Sequence, residues 1–118
     1  MDDFPVNISF RNMDHSDAVE ADIRKKIASM ERFFDRIIDC HVVVGGPTKH
    51  SHKGGLYDVH IKVSIPGQDI VINHTGPQDH AHEDVYVAIR DAFSAAVRKL
   101  EDHVRKARGD VKRHTREE

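Results

Sequence analysis

Residues 57–75, YDVHIKVSIPGQDIVINHT, decide how this chain folds. From Tyr57 to Ile65 the alternation is complete: Tyr57, Val59, Ile61, Val63 and Ile65 face one way, while Asp58, His60, Lys62 and Ser64 face the other. A period of two with one apolar side marks a half-buried antiparallel strand. Pro66 and Gly67 make a tight turn, and a two-residue loop pairs Val63 with Ile70, Ile61 with Ile72 and Val59 with His74. That register keeps the apolar residues together. The second strand ends near Thr75, and Gly76, Pro77 and a polar, His-containing loop follow.

Upstream of this hairpin, residues 40–44 read as a short β-branched strand closed by Gly45, Gly46 and Pro47. A polar loop with His50, His52, Lys53, Gly54 and Gly55 joins the two. At the N-terminus, Val6, Ile8 and Phe10 alternate with polar neighbours in a strand over residues 6–11. Between these strands lies a helix. Ser16 is its N-cap, with Asp17, Glu20 and Asp22 in the first turns, where the helix dipole favours negative charge. Its stripe is Val19, Ile23, Ile27, Met30 and Phe34, and Lys25 and Arg32 stand almost opposite on the outer face.

Downstream, HEDVYVAIRDAF at residues 82–93 opens a long amphipathic run. Val85, Ala92, Phe93, Ala96, Leu100 and Val104 all fall within about 60° of Ile89 on a helical wheel. The end of this helix is positively charged: Arg98, Lys99, Arg105, Lys106, Arg108, Lys112, Arg113 and Arg116 stand against Glu101, Asp102 and Asp110. The element order is therefore β-α-β-β-β-α. Strands with one apolar face and helices with one apolar stripe predict an α+β fold, a two-layer sandwich of a four-stranded mixed sheet with both helices on one face. It is similar to the arrangement of double-stranded-RNA-binding domains. The first two strands, joined through a helix, are expected to be parallel with a right-handed crossover, and the others antiparallel. One domain is expected over residues 1–108, with residues 109–118 a charged C-terminal tail that frays.

A length of 118 residues suits that single domain, since a chain of this size buries roughly two thirds of its unfolded surface. With 18 Lys plus Arg and 20 Asp plus Glu, net charge argues for no nucleic acid, and only local clustering can. A lone cysteine, Cys40, excludes an intrachain disulfide framework and fits a reducing compartment, the cytoplasm by default. MDDFPVNISF lacks the basic and apolar segments of a secretory leader, and no window approaches the roughly 18 apolar residues of a membrane span.

Ten histidines invite a metal reading, because imidazole is the commonest ligand. His50 with His52 and His80 with His82 are i, i+2 pairs, however, and no thiol or carboxylate motif accompanies them, so they read as solvated loop residues. His74, opposite Val59 on the apolar side, reads as a hydrogen-bonded edge histidine. Asp58 and His60 share a solvent face, as alternate residues of any half-buried strand do. Cys40 beside His41 reads as a small core residue rather than a nucleophile, and Tyr86 as packing against the sheet rather than a base-stacking platform. There is no P-loop, no GxGxxG and no paired-cysteine zinc spacing. The chain proposes no reaction, cofactor, metal or small-molecule substrate.

The β-α-β-β-β-α order, the first helix ending in MERFFDRI and the pattern HEDVYVAIRDAF resemble the ribosome hibernation promoting factor family, also called ribosome-associated inhibitor or ribosomal subunit interface protein. The resemblance runs from about Val6 to Lys106. It implies a non-enzymatic factor that binds ribosomal RNA of the small subunit between head and body, blocks the path of messenger and transfer RNA, and silences translation in starvation or stationary phase. The lack of an apolar span predicts no membrane, and an exposed polar sheet face predicts a monomer off the ribosome, with the first strand, at the sheet edge, open to pairing with a neighbour. Lys26, Arg32 and Arg98 match basic family positions. At Glu20, Ser29, Ala95 and Asp102, where members of that family carry Arg or Lys, this chain is neutral or acidic. Its own cations stand at Arg24, Lys25, Arg90, Lys99 and Arg105, with Lys106 one residue on. The residues GPQDHAH leading into HEDVY are additional to the short members, and the chain stops before the C-terminal dimerisation domain of long ones, so pairing of ribosomes is expected to need a helper or another mode.

By themselves these charge runs read as solvated helix surface with Glu and Asp partners; with the resemblance they read as RNA contacts. Arg32 and Arg98 can each grip phosphate with two parallel donors, whereas Lys25, Lys26 and Lys99 act as point charges. The runner-up is a regulatory protein-interaction module of the same fold that has lost ribosome affinity, motivated by Glu20, Ala95 and Asp102. A continuous positive groove joining Lys25, Lys26 and Arg32 to Arg90, Arg98 and Arg105 favours the ribosome, and a mosaic of both signs a protein partner.

Overall fold

Four strands form one sheet in the order β1-β2-β3-β4. They are β1 (Val6–Arg11), β2 (Asp39–Gly45), β3 (Asp58–Ile65) and β4 (Gln68–Thr75), with α1 (Asp17–Phe33) between the first two and α2 (Val85–Glu117) after the last. The computed structural model describes residues 4–46, 57–75 and 84–117, of which Phe33 and residues 108–117 by backbone alone. β1 pairs parallel with β2, while β2 with β3 and β3 with β4 are antiparallel. This is the mixed sheet and two-layer arrangement expected.

The hairpin has the register that its alternation requires, with Val63 opposite Ile70, Ile61 opposite Ile72 and Val59 opposite His74. A slip of one residue would turn the whole apolar set of β3 to water, and Val59, Ile61, Val63 and Ile65 are all buried. Cys40, Val42 and Val44 join them from β2, and Cys40 is wholly inaccessible in the core. The pairing of β2 extends one residue beyond 40–44 at each end, to Asp39 and Gly45, because hydrogen bonding to β3 continues past the β-branched residues that betray the strand.

The Ser16 hydroxyl accepts from the Val19 N–H at 3.2 Å and starts α1. Val19, Ile23, Ile27, Met30 and Phe34 are buried, and so are Ala88, Ile89, Ala92, Phe93, Ala96 and Leu100 of α2. Val85 and Val104 pack against the same core half-buried. Asp84 caps α2: its carboxylate accepts from the Tyr86 N–H at 2.8 Å and its carbonyl from Val87 and Ala88. The backbone of α2 continues through Gly109 to Glu117. The helices run in the same direction, since Lys26 and Met30 lie across from Arg90 and Phe93 while Phe34 lies beside His103, ring centroids 6.4 Å apart.

Two glycines hold positions that disfavour any side chain, one by its backbone angle and the other by lack of space. Gly67 has φ +89°, the value a type II turn needs at its third residue, and nothing lies within 4 Å of where its Cβ would stand. At Gly46 a Cβ would meet the Asn12 carbonyl oxygen at 2.6 Å and Met13 Cβ at 2.8 Å. Gly67→Ala should therefore cost about 1–2 kcal/mol from the backbone alone. Gly46→Ala should cost more, because backbone must move; urea unfolding of both variants, with equal losses counting against the steric account of Gly46, is the check.

Candidate functional site

The sheet occupies one side of each helix, so the nine cations singled out on the helices must sit on what remains of their surfaces. At about 100° per residue, Lys25 and Arg32 stand opposite the buried stripe of α1, and Arg98 and Arg105 opposite that of α2. Lys26 and Arg90 flank the groove between the helices. Its floor is Met30, Phe93 and Val97, its walls also carry Ser29 and Ser94, and its volume is about 320 Å³. These six cations share one helical surface. The other three lie away from it: Arg24 on the flank of α1 turned from α2, and Lys99 and Lys106 on the flank of α2 turned from α1.

Five of the nine are already engaged. Two guanidinium nitrogens of Arg24 reach one Glu20 oxygen at 3.1 Å. Lys26 lies 3.6 Å from Asp22, Arg90 3.1 Å from Asp91 and Arg105 2.9 Å from Asp102. Lys99 Nζ donates to the Val71 carbonyl at 3.2 Å. Lys25, Arg32, Arg98 and Lys106 are exposed and have no ion-pair partner among the described residues. The surface is thus a mosaic of both signs, with its unpaired positive charge at Lys25, Arg32 and Arg98 and the exposed carboxylate of Glu101 beside Arg98 on α2.

Carboxylates on the same two helices account for that mosaic. Glu20 and Asp102 each pair with a cation on their own helix, Arg24 and Arg105. Glu20 also receives His15 at 3.1 Å. Ser29 lines the groove and Ala95 packs half-buried against the core. Exposed pairs of this kind contribute only about 0.3–0.5 kcal/mol each, so a phosphate presented at the groove can exchange for the carboxylates.

Other residues fall as follows. Tyr86, expected to pack, is 41% exposed at the head of α2, on the flank that carries Phe93 and Arg90. Asp58 and His60 do not form a pair: Asp58 accepts from the Thr75 hydroxyl at 3.0 Å, and the His60 Nδ1 bonds the Asn73 side-chain oxygen. His74 departs from expectation, because its Nε2 is buried without a hydrogen-bond partner; the ring faces the apolar side next to Val59, where strands offer no polar side chain. His50, His52, His80 and His82 lie outside the described residues. Sequence spacing missed His15, Asp17 and Glu20, whose ligand atoms lie within 4.8 Å of one another at the start of α1. They are exposed or half-buried and hydrogen-bonded among themselves. Among the described residues no helix is long and apolar enough to cross a membrane.

A sequence model of the family described as Sigma 54 modulation protein / S30EA ribosomal protein matches residues 6–108. The ribosome hibernation promotion factor of Bacillus subtilis (strain 168) is 29% identical over 112 residues, which are 95% of this chain and 52% of the relative. The chain therefore spans about half the length of that curated relative. Two solved structures share the fold. A ribosomal subunit interface protein from Coxiella burnetii superposes with a TM-score of 0.70 at 17% identity, over 86% of this chain and 99% of that one. The N-terminal domain of Thermus thermophilus Protein Y gives 0.64 at 21% identity, over 82% and 94%.

Proposed function

This chain belongs to the Sigma 54 modulation protein / S30EA ribosomal protein family, and from that premise we propose that it is a ribosome hibernation factor of the cytoplasm. It binds ribosomal RNA of the small subunit between head and body and excludes messenger and transfer RNA sterically, under stress or in stationary phase. The observation that carries this reading is the pair of co-directional helices with Lys25, Arg32 and Arg98 unpaired on their outward surface and Lys26 and Arg90 across one groove. The hibernation promotion factor of Bacillus subtilis, similar over nearly all of this chain, supports it.

Phosphate contacts supply the affinity. Each neutralised phosphate releases counterions, with a salt slope of roughly 0.9 per contact on duplex DNA. Lys25, Lys26, Arg32, Arg90, Arg98 and Arg105 form the central contact surface; Arg24 and Lys106 add peripheral charge, and Lys99 stays with β4. The mosaic of both signs, taken alone, favours a second reading, in which the same fold meets a protein partner instead of RNA; the match to a ribosomal protein family and to a hibernation promotion factor weighs more and puts the ribosome first. Off the ribosome the chain is a monomer, and its domain ends near residue 108.

Cosedimentation with small subunits, large subunits and whole ribosomes across a salt series separates the readings. Arg32→Glu with Arg98→Glu should lower small-subunit binding at least tenfold with unchanged circular dichroism; unchanged binding would sink the site assignment. No binding of the unmodified chain even at low salt would transfer the case to a protein partner. Asp102→Asn should tighten binding several-fold by releasing Arg105, and a variant that binds no better would show that this cation touches no phosphate. Amide exchange should be fast from Gly109 onward and slow from Ala88 to Leu100, because residues 109–118 offer Val111 as their one apolar side chain and so no stripe to bury; equal protection along α2 would extend the domain.

A further inference from the structure

β4 is a terminal strand, and among the described residues nothing pairs with its outer edge. The Lys99 bond shows which backbone groups face outward, because the carbonyl it reaches is that of Val71. A strand repeats every two residues, so Asp69, Asn73 and Thr75 turn their N–H and C=O groups to the same edge. The strand is eight residues long, holds no proline and carries one acidic or basic side chain of fixed charge, Asp69. Val71, in the middle of the edge, is 45% exposed. Such an edge invites pairing unless something guards it, and lysine is the residue most used for that purpose. Here the lysine comes from the covering helix, 28 residues away in sequence.

We propose that the outer edge of β4 is a latent self-association surface whose occupant is a second copy of this chain, and that Lys99 holds it closed. In an antiparallel pair about a two-fold axis at Val71, Val71 meets its own symmetry mate, Asp69 meets Asn73 of the copy, and Ile70 meets Ile72 of the copy. No like charges stand opposite each other along this seam, and the exposed Val71 side chain is covered. The obstacle is Lys99. Its ammonium occupies the carbonyl that the central residue pair needs, and the two-fold axis brings both Lys99 ammonium groups to the middle of the seam without a carboxylate between them. This inference stands whether or not the chain binds ribosomes, since it rests on the β4 edge and one bond from α2.

Sedimentation velocity over a wide concentration range tests it on the full chain. The unmodified chain and Lys99→Arg, which keeps charge and donor, should sediment as monomers. Lys99→Ala and Lys99→Gln should form dimers with a dissociation constant at least tenfold below that of the unmodified chain, and the amides of Val71 and Asn73 should gain exchange protection as concentration rises. Adding Val71→Lys to Lys99→Gln should restore the monomer by placing like charges at the two-fold axis. Folded, monomeric Lys99→Ala and Lys99→Gln at all concentrations would overturn the proposal. So would dimers that survive Val71→Lys, because their seam would lie elsewhere, and Lys99→Arg associating as strongly as Lys99→Ala.

Discussion

Everything else in this molecule depends on β3 burying one face completely. Val59, Ile61, Val63 and Ile65 alternate without interruption, and each neighbouring strand must match that phase or expose its own apolar set. β2 and β4 comply through their registers, and both helices must then cover the same side. The far side of the sheet is left polar, with Lys62 opposite Val71 and His60 opposite Asn73. Charged side chains of the helices are consequently confined to the outward surfaces and flanks of α1 and α2. The candidate site is thus a consequence of the core: side chains excluded from burial by the stripes end up beside each other because the stripes face one sheet.

How much of this is visible in the residues depends on the range of the interaction. The hairpin register was legible to the residue, since a two-residue turn and a period of two leave no freedom between Ile65 and Gln68. The Ser16 cap was equally legible, being a local contact three residues long. Asp84 was not singled out, although an Asp before an apolar run is a cap signal. The pairs Glu20 with Arg24 and Asp22 with Lys26 have i, i+4 spacing and could have been read as neutralising the cations. What spacing could not show is the direction of each flank. That Lys26 and Arg90 face each other while Lys99 turns to β4 follows only from how the helices lie on the sheet. The unpartnered Nε2 of His74 belongs to the same class, because the strand pattern places the ring but not its donors.

α2 carries two different surfaces because a helix on a sheet has two flanks. The flank toward α1 has Arg90, Phe93, Ser94 and Val97, an apolar floor with a cation at its rim. The flank toward β4 has Lys99, whose ammonium is bound to backbone and is therefore a poor phosphate contact as it stands. Basic residues adjacent in sequence, Arg98 and Lys99, thus serve different surfaces of the same helix, the outward one and the flank toward β4. A count of positive charges along α2 overstates what any one polyanion can touch.

The paired cations have a further physical consequence for any anion that binds here. A phosphate meeting Arg32 or Arg98 replaces water and mobile ions, whereas one meeting Arg105 must also displace Asp102 or accept its charge nearby. In the second case the carboxylate cancels part of the neutralisation, and fewer counterions leave the polyanion. Salt dependence therefore weights the unpaired cations Lys25, Arg32 and Arg98 more heavily than the paired ones Lys26, Arg90 and Arg105. The intrachain pairs are themselves screened as ionic strength rises, on the scale of a Debye length of about 8 Å at physiological salt. Rising salt loosens those pairs and the phosphate contacts together, so a chain with this mosaic should show a shallower salt slope than its number of basic residues suggests. Neutralising Asp102 would steepen that slope as well as raise affinity, a combination that added apolar contact could not produce, since burial of apolar surface leaves the counterion count unchanged.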